Sequence, residues 1–561
     1  MIAVYIDNTL EKFSHEIKYS FDFIFKTLGY EFKYINRLEQ LLEKDILVFY
    51  GLVEPNLKEA YILAMRKALV FIPCDQELLI PGSIKKKDLS TWRKELTLHK
   101  AVPVLSFNDF EVPINYYQDD ELFYGTFKFD LIGNIFFNLT NFQSITVDHD
   151  KSLDQVKLGD NPLTPHLNHF CWLIEQCLID AVNSRGNIFL IKKEYWPNGE
   201  SGAFAISHNV DKLQKWNAGK IMKSAYEDLL LFYKIKYLFE NLISKIKYLT
   251  TNIEEYWNFD LIRDAEDQFN IRSTYFWGTE SETSEDVDYR INSKEVAEEI
   301  ELLIETGHEI ALLASRKSHN NDILKRQKQK IAQITLREKI GVRQNGYLYE
   351  YKVTDELVSK NNFAYDSSRM SNDNPGFVNG LGFPFHTFID NGIKSDNGYY
   401  SCKNLELPIV FSDEHLLLSQ TKVISQDSAM ELLTDIISSI KITNGLLNFN
   451  FSISNFTELD YDIELFSALL SQLKSQNFFN GTLLEIADWW RRRENLEISE
   501  YQNTVDLYFP ERIESCTLVV YGNIIVKEVV GLDAEIEENC IKFKNVMPDK
   551  KVQIILEQGS N

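Results

Sequence analysis

The sequence predicts an α/β protein built from three successive domains, and three observations predict it. At 561 residues the chain is too long for a single compact core. Apolar runs alternate with helical patterns over residues 1–185 and again over residues 195–497, as they do in α/β domains. Over residues 498–561 only short strands remain, which predicts a small all-β domain.

The first domain is predicted from four short apolar runs that have the length of buried strands. They are Ile2–Ile6, Ile46–Tyr50, Ala68–Ile72 and Val102–Leu105. A helical pattern at Leu57–Arg66 lies between two of them, and this alternation favours a mostly parallel sheet. The region has neither a glycine-rich phosphate-binding motif nor a catalytic constellation.

The second domain shows the same alternation more regularly. Asn258 is expected to cap a helix that ends near Phe269, and the β-rich run Ser273–Trp277 follows. A further helix with an apolar stripe from Val296 to Ile304 is expected to end at Gly307 in a left-handed conformation, before another strand. The third domain is predicted from five strands, at Val505–Phe509, Thr517–Tyr521, Ile524–Val530, Ile541–Val546 and Val552–Leu556.

Charge and cysteine usage narrow the class of protein. The formal net charge is −24, and a field of that sign repels phosphate backbones, so no nucleic-acid partner is expected. The six cysteines are scattered, and the first residues lack a basic segment, which favours a cytoplasmic protein. No apolar run has the length of about 18–20 residues that a membrane span needs.

The segment Leu229–Leu249 is apolar and aromatic, with lysines interleaved. Such a pattern is typical of an amphipathic helix that lies on an anionic membrane surface, here the inner membrane surface. The same pattern is also typical of a core helix whose lysine side chains extend outward to solvent. Both interpretations remain open, with the core helix favoured.

Several short segments, in order, resemble one enzyme family. They are Tyr195–Gly199, Ala205–Asp211, Ile271–Trp277, Gly307–Leu313, Gly341–Gln344, Phe363–Ser368 and Asp488–Arg493. Together they resemble the NodB-type polysaccharide deacetylases of carbohydrate esterase family 4, in a bacterial branch with an extra N-terminal domain. The resemblance covers about 300 residues, and it implies a distorted (β/α) barrel whose site lies at the carboxyl ends of the strands.

Members of that family remove an N- or O-acetyl group from a sugar polymer with a zinc-like metal, held by one aspartate and two histidines. The resemblance implies that Asp211 is the retained metal aspartate, whereas Asn209 stands at the position of the general base. The two histidine positions hold Leu313 and Lys317. The late histidine that protonates the leaving group falls near Asn450 or Ser452. Arg343 and Asp366 are retained as supporting residues.

One carboxylate does not make a tight divalent site in water, so no metal cofactor is expected. A zinc ion would bind only if His208, His308 or His319 supplied rearranged ligands. Lys317 is expected to lie close to Asp211 and to replace the missing cation, because burying an unpaired carboxylate is costly. Arg343 and Asp366 either bind sugar or form a buried ion pair at the barrel mouth.

Three functions follow as hypotheses, and whether the chain is an enzyme stays open. The first is a catalytically degenerate deacetylase-like protein, which binds a carbohydrate or a polysaccharide-biosynthesis protein in cell-surface polysaccharide metabolism. The second is an active metal-dependent deacetylase with rearranged ligands, and the third is a membrane-surface scaffold. Sugar-stacking aromatics near the rim, or core residues, are expected at Trp196, Trp216, Trp277 and Tyr347.

Overall fold

The N-terminal sheet forms from the predicted apolar runs. The computed structural model describes residues 1–64, 67–80, 93–98, 101–140, 163–186, 188–216, 242–246, 255–371, 374–394, 400–417, 425–458, 462–501 and 503–559. The first eight strands are β1 (Ile2–Ile6), β2 (Phe32–Ile35), β3 (Ile46–Gly51), β4 (Ala68–Pro73), β5 (Arg93–Thr97), β6 (Ala101–Leu105), β7 (Ile114–Gln118) and β8 (Phe123–Phe127).

Six of these strands make one sheet in the order β2-β1-β3-β4-β8-β7, parallel except for the antiparallel edge strand β7. The predicted strands β1, β3 and β4 are confirmed. The run predicted at Val102–Leu105 is also a strand, but it pairs antiparallel with β5 outside the parallel sheet. The described residues of this region also form α1 (Ser14–Leu28), α2 (Leu57–Leu63), α3 (Leu131–Leu139) and α4 (His166–Asn183).

Local signals explain where these helices begin and end. Asn56 and Glu59 form a reciprocal capping box at the start of α2. The carboxylate of Asp130 accepts a hydrogen bond from the backbone N–H of Gly133 at the start of α3. Helix α1 ends at Gly29, whose φ of 82° requires glycine.

The middle of the chain forms a ten-stranded sheet that curls as a half barrel. Strand β9 (Leu190–Lys193) comes before this sheet in the chain and is not part of it. The strands of the sheet are β10 (Ala203–Val210), β11 (Thr274–Trp277), β12 (Glu309–Ala314), β13 (Val342–Gln344), β14 (Tyr365–Asp366), β15 (Phe385–Lys394), β16 (Tyr400–Glu406), β17 (Phe411–Ser412), β18 (Leu446–Asn450) and β19 (Phe479–Asn480). The order is β15-β16-β14-β13-β12-β11-β10-β18-β17, and β19 pairs with β10. All neighbours are parallel except β15 and β16. Within the described ranges no ladder joins β17 to β15 or β16, so the expected distorted barrel is an open, curled sheet.

Helices pack around this sheet, as the predicted alternation requires. They are α5 (Phe259–Gln268), α6 (Lys294–Glu305), α7 (Asn321–Thr335), α8 (Val353–Lys360), α9 (Glu414–Leu417), α10 (Gln426–Ser439), α11 (Asn455–Glu458), α12 (Asp462–Lys474) and α13 (Leu483–Asn495). Gly307 follows α6 with the expected left-handed φ of 87°. Asn258 precedes α5 as predicted, but its amide donates to the Ile453 carbonyl and to the Thr457 hydroxyl of α11 and does not cap the helix.

The last part of the chain is a two-sheet sandwich. Its strands are β20 (Glu497–Tyr501), β21 (Thr504–Phe509), β22 (Ile513–Tyr521), β23 (Ile524–Val530), β24 (Ala534–Glu537), β25 (Cys540–Val546) and β26 (Lys550–Gln558). The sheet orders are β20-β21-β26-β23 and β24-β25-β22-β9. The sandwich therefore takes one strand, β9, from the segment before the half barrel, which the sequence did not predict.

No helix in the described part of the chain combines the length and the apolar character that crossing a membrane requires. The amphipathic segment Leu229–Leu249 lies outside the described residues except for 242–246. There Ser244 and Lys245 are buried, and the ammonium of Lys245 lies 5.1 Å from the centre of the Trp216 ring.

Candidate functional site

A fully buried arginine lies inside the curled sheet. Arg343 of β13 has no exposed surface, and its guanidinium makes five hydrogen bonds, all to uncharged oxygens. Nε donates to the Ser367 carbonyl (3.0 Å), Nη1 to Oδ1 of Asn209 (2.9 Å) and of Asn450 (2.5 Å), and Nη2 to Oγ of Ser207 (2.9 Å) and of Ser367 (3.0 Å). All five donors of the side chain are thus used. Burial lowers the pKa of Arg343 to about 10.

Strand alternation explains why these side chains meet. Ser207 and Asn209 are two apart on β10, so both face the interior of the curled sheet, whereas His208 between them faces the helices. Parallel pairing sets Ser207 beside Asn450 of β18. The alternation of side chains along a strand is therefore enough to place Ser207 and Asn209 on the interior face of the sheet.

Tyr347 closes this polar network from the mouth of the half barrel. Its hydroxyl accepts hydrogen bonds from the amide Nδ2 of Asn209 (3.0 Å) and of Asn450 (2.9 Å), and it lies 3.3 Å from Oγ of Ser412. The tyrosine follows Gly346 in a short turn, and both residues have positive φ, 53° for Tyr347 and 66° for Gly346. Asn209, at the position that the family resemblance assigns to the base, and Asn450, one of the two residues near the position of the late acid, are therefore joined by one tyrosine.

Two carboxylates lie next to this network. Asp211 follows β10 and Glu414 begins α9, and both side chains are partly buried. Burial raises the pKa of Asp211, and burial with the nearby charge of Asp211 raises the pKa of Glu414 to about 7. In the part of the chain that the structure describes, neither carboxylate forms an ion pair, and Asp211 accepts from the backbone N–H of Lys212 (2.9 Å).

A buried aspartate fixes the loops around the mouth. The carboxylate of Asp286 accepts from the backbone N–H of Arg316 (2.8 Å) and from the amide of Asn345 (3.2 Å). Asp288 accepts from the backbone N–H of Leu213 (2.8 Å), two residues after Asp211 in the chain. The loops that follow β10, β12 and β13 are thereby held together without a metal ligand set.

The residues at the two expected histidine positions lie apart. Leu313 is buried and pairs across the sheet with Arg343, so its side chain faces the interior. Lys317 lies in the turn after β12, and its side chain is exposed. The ion pair that we expected between Lys317 and Asp211 is not formed among the described residues, because the ammonium is left in water.

The remaining histidines do not turn toward Asp211. Nε2 of His208 lies 3.0 Å from a carboxylate oxygen of Glu266, and its Nδ1 lies 2.8 Å from the Phe451 carbonyl. His308 lies 3.8 Å from the other oxygen of Glu266, and all three side chains are fully buried. His319 is one-third exposed and lies beside Glu350. These histidines have structural partners on the outer side of the sheet.

The donors at the mouth do not fit the zinc-like metal that the resemblance implies. Asp211 is one carboxylate, and the two histidine positions offer an alkyl side chain and an exposed ammonium. No group of three or more His, Cys, Asp or Glu side chains is arranged to hold a metal ion within the described ranges.

Asp366 does not join Arg343. The register sets Asp366 beside Val342, one residue before the arginine, so the two side chains face opposite sides of the sheet. Among the described residues, Arg343 and Asp366 therefore do not form the buried ion pair that was one of the two expectations. The hydroxyl of Ser368 donates to one oxygen of Asp366, and the other oxygen has no hydrogen-bond partner.

Asp366 belongs instead to a buried acidic cluster with a single cation. Arg369 lies 3.4 Å from Asp355 and 3.9 Å from Glu406, and all four side chains are almost completely buried. Burial raises the pKa of Asp366 to about 7, and burial with the charge of Asp366 raises the pKa of Glu406 strongly.

Three of the four candidate rim aromatics are buried away from Arg343. Trp196 donates from Nε1 to the Asn444 carbonyl (2.7 Å), and Trp277 stacks on Phe259 with 5.4 Å between ring centres. Trp216 is also buried. The core interpretation therefore holds for Trp196 and Trp277, and Tyr347 is the aromatic residue of this set that bonds to the site.

The sequence did not single out Glu414 or Ser412 as site residues. Both follow the apolar run Pro408–Phe411, which ends in β17, the edge strand beside β18. A short apolar run followed by Ser-Asp-Glu is a signal for polar residues at a strand's carboxyl end, and it could have found them.

Comparisons with known proteins give remote structural likenesses only. No protein-family model matches the chain, and no curated protein matches it. A solved structure described as a polysaccharide deacetylase from Mycobacterium smegmatis is 16% identical over 55% of this chain and 97% of its own, with a TM-score of 0.36. The Puue allantoinase is 14% identical over 62% and 98%, with a TM-score of 0.36. A CE4 family pseudoenzyme from Bacillus anthracis is 11% identical over 52% and 67%, with a TM-score of 0.27. Values this low leave the function to the residues of the site itself.

Proposed function

We propose that this chain is a polysaccharide deacetylase-like protein that binds carbohydrate without metal-dependent hydrolysis. The observation that carries the proposal is the bridge from Asn209 through the Tyr347 hydroxyl to Asn450. An amide does not take up a proton near neutral pH, so neither asparagine can act as a general base or acid. The bridge also satisfies both amides, and Arg343 has no donor left for a reacting carbonyl.

The ligand class follows from the charge that is left over at the mouth. Asp211 and Glu414 are partly buried and form no ion pair among the described residues, and the charge of Asp211 raises the cost of ionising Glu414. A bound cation would offset that cost. The sugar that brings a cation is an amino sugar with a free amine, which is the product of de-N-acetylation. We therefore assign the mouth to an ammonium-bearing oligosaccharide.

The cellular role is proposed from the same ligand. A protein that holds a de-N-acetylated chain without cleaving it would act beside the enzymes that make or modify cell-surface polysaccharide. One of those biosynthesis proteins would then be its partner.

Calorimetry with a glucosamine hexamer and an N-acetylglucosamine hexamer tests the ligand class. The glucosamine hexamer should bind, and the double variant Asp211→Asn, Glu414→Gln should weaken it about tenfold or more, since both carboxylates are lost. Glu295→Gln, an exposed carboxylate on α6, is the matched control and should bind as the wild type does. Equal weakening of both hexamers by the double variant, or no effect of the double variant, would contradict the assignment.

Acetate release and metal content test the absence of hydrolysis. The purified protein should carry less than one zinc, cobalt or nickel per chain, and Asn209→Asp alone should release no acetate. The triple variant Asn209→Asp, Leu313→His, Lys317→His should also stay silent with added zinc, because residue 317 lies in the exposed turn. Chelator-sensitive turnover by the unmodified protein, or about one metal per chain lost on Asp211→Ala, would overturn the proposal.

A further inference from the structure

The outer face of the sheet β20-β21-β26-β23 carries a hollow of about 710 Å³. It lies on the C-terminal sandwich, and its lining comes from these strands and from Gly531, directly after β23. The inner face of the same sheet is the sandwich core, with Val505, Leu507 and Ile554 buried. Side chains alternate along each strand, so the residues between those core positions face the hollow.

The strand register arranges these outward residues in two rows across three strands. Ser499 of β20 pairs with Asp506 of β21, which pairs with Gln553 of β26. Two residues further along β21, Tyr508 pairs with Glu497 on one side and Lys551 on the other. Each row spans about 10 Å, since neighbouring strands lie about 4.8 Å apart.

The polar side chains of the first row are held in place by one another. The amide Nε2 of Gln553 donates to Oδ1 of Asp506 at 2.7 Å. This bond leaves the second oxygen of Asp506 and the amide oxygen of Gln553 without a partner among the described residues. Both are acceptors aimed at a ligand's hydroxyl or amine groups.

Two tyrosine rings complete the hollow. The Tyr508 hydroxyl donates to Asp549 at 2.7 Å, which fixes the orientation of the ring. Tyr501 is 60% exposed, and no side chain in the described part of the chain bonds to its hydroxyl. An open ring beside a fixed ring and a row of acceptors offers a stacking surface together with hydrogen bonds.

We infer that this hollow is a second carbohydrate site, for an oligosaccharide of neutral or amine-bearing sugars. The lining alternates hydroxyl, carboxylate, amide and phenol groups, which suits a ligand with apolar ring faces and many hydroxyls. A protein partner would require an apolar centre, and Val530 is the exposed apolar side chain that the lining offers. The carboxylates of Glu497 and Asp506 and the net charge of −24 oppose uronate or phosphate sugars.

The site is independent of the barrel mouth, so a variant with a disabled mouth isolates it. The full chain carrying Asp211→Asn and Glu414→Gln should still bind a glucosamine or N-acetylglucosamine hexamer in calorimetry. Adding Tyr501→Ala or Gln553→Ala should weaken that remaining binding about tenfold. Met547→Ala, at an exposed site of the same sandwich outside the lining, is the matched control and should change nothing.

A thermal melt of each variant checks that the sandwich stays folded. If Tyr501→Ala does not fold, Gln553→Ala still tests the site. Binding that is unchanged by both substitutions would overturn the inference. So would the absence of any binding by the mouth-disabled chain, or binding of a hexauronate as tight as that of the two hexosamines.

Discussion

At the scale of single residues, charge is distributed in an unusual way around the curled sheet. Arg343 is buried among neutral oxygens only, whereas Asp355, Asp366 and Glu406 share one cation, Arg369, on the opposite face. A buried arginine keeps its charge over the physiological range even when its pKa falls to about 10. Buried carboxyl groups without enough cations instead keep protons, and they make folding depend on pH.

Asp366→Asn should therefore stabilise the protein at neutral pH. The folded pKa of Asp366 is raised to about 7 by burial, so the folded state binds the proton more tightly than the unfolded state does. Stability from this group is fully present below the unfolded pKa of about 4 and is lost as pH rises to about 7. Asp366→Asn removes this loss. The difference in free energy of unfolding between the variant and the wild type should therefore be about 1–3 kcal/mol more favourable to the variant at pH of about 8 than at pH of about 4.

Urea unfolding at both pH values measures this difference. Glu305→Gln, an exposed carboxylate on α6, should show no such gain. A variant that is destabilised equally at both pH values would contradict the assigned proton.

At the scale of elements, helix α13 (Leu483–Asn495) contacts β12 of the curled sheet near its first turn, and α1 and β9 near its last turn. Thr482 and Glu485 form a capping box at its first turn, where buried Glu309 of β12 also accepts from the backbone N–H of Leu484 (2.9 Å). Near its other end, the guanidinium of Arg493 donates to the carbonyls of Lys26 and Thr27. Those carbonyls belong to the last turn of α1, where the backbone N–H of Gly29 also donates to the Lys26 carbonyl (3.2 Å).

Arg493→Met should cost about 3 kcal/mol, because it removes the hydrogen bonds that the buried guanidinium donates to the Lys26 and Thr27 carbonyls at the end of α1. Arg493 also donates to Glu194 and Lys193, so the loss extends to β9. Denaturant unfolding should show a lower midpoint. The matched control, Arg492→Met, removes a partly exposed arginine and should leave the midpoint nearly unchanged. Equal shifts of the unfolding midpoint by the two substitutions would contradict the capping role of Arg493.

At the scale of the whole molecule, one hydrophobic core runs from the N-terminal sheet through α13 into the sandwich. Phe25, Trp490 and Leu518 belong to the same buried cluster. Strand β9 pairs with β22 of the sandwich, and its Lys192 forms a buried ion pair of 2.7 Å with Glu175 of α4. The sandwich therefore shares its hydrophobic core with the rest of the described structure and is not a separate appended domain.

A chain that ends at Leu496 should consequently fail to unfold cooperatively. It would leave β9 without its partner strand and would expose the face of α13 that packs on the sandwich. A chain that ends at Gln558 keeps every strand and serves as the control. Size-exclusion chromatography and a thermal melt should show aggregation or a broad transition for the shorter chain. A monodisperse, cooperatively melting shorter chain would show that the sandwich is dispensable.

The sequence by itself determined the strands whose neighbours lie close in the chain. Apolar runs of strand length predicted β1, β3 and β4, and the left-handed Gly307 was predicted from the helix that it ends. These features depend on local propensity and on period-two or period-3.6 patterns, which each segment carries alone. The amides at 209 and 450 and the alkyl side chain at 313 were likewise readable at their motif positions.

Only the tertiary structure decided which of those residues meet. Strand alternation set Asp366 on the opposite face from Arg343, and a turn left Lys317 in water instead of beside Asp211. Pairing across long sequence separations brought Tyr347 onto Asn209 and Asn450, placed Glu414 by Asp211, and took β9 into the sandwich. No local pattern encodes such contacts, because their free energy comes from burial and hydrogen bonding between segments that are distant in the chain.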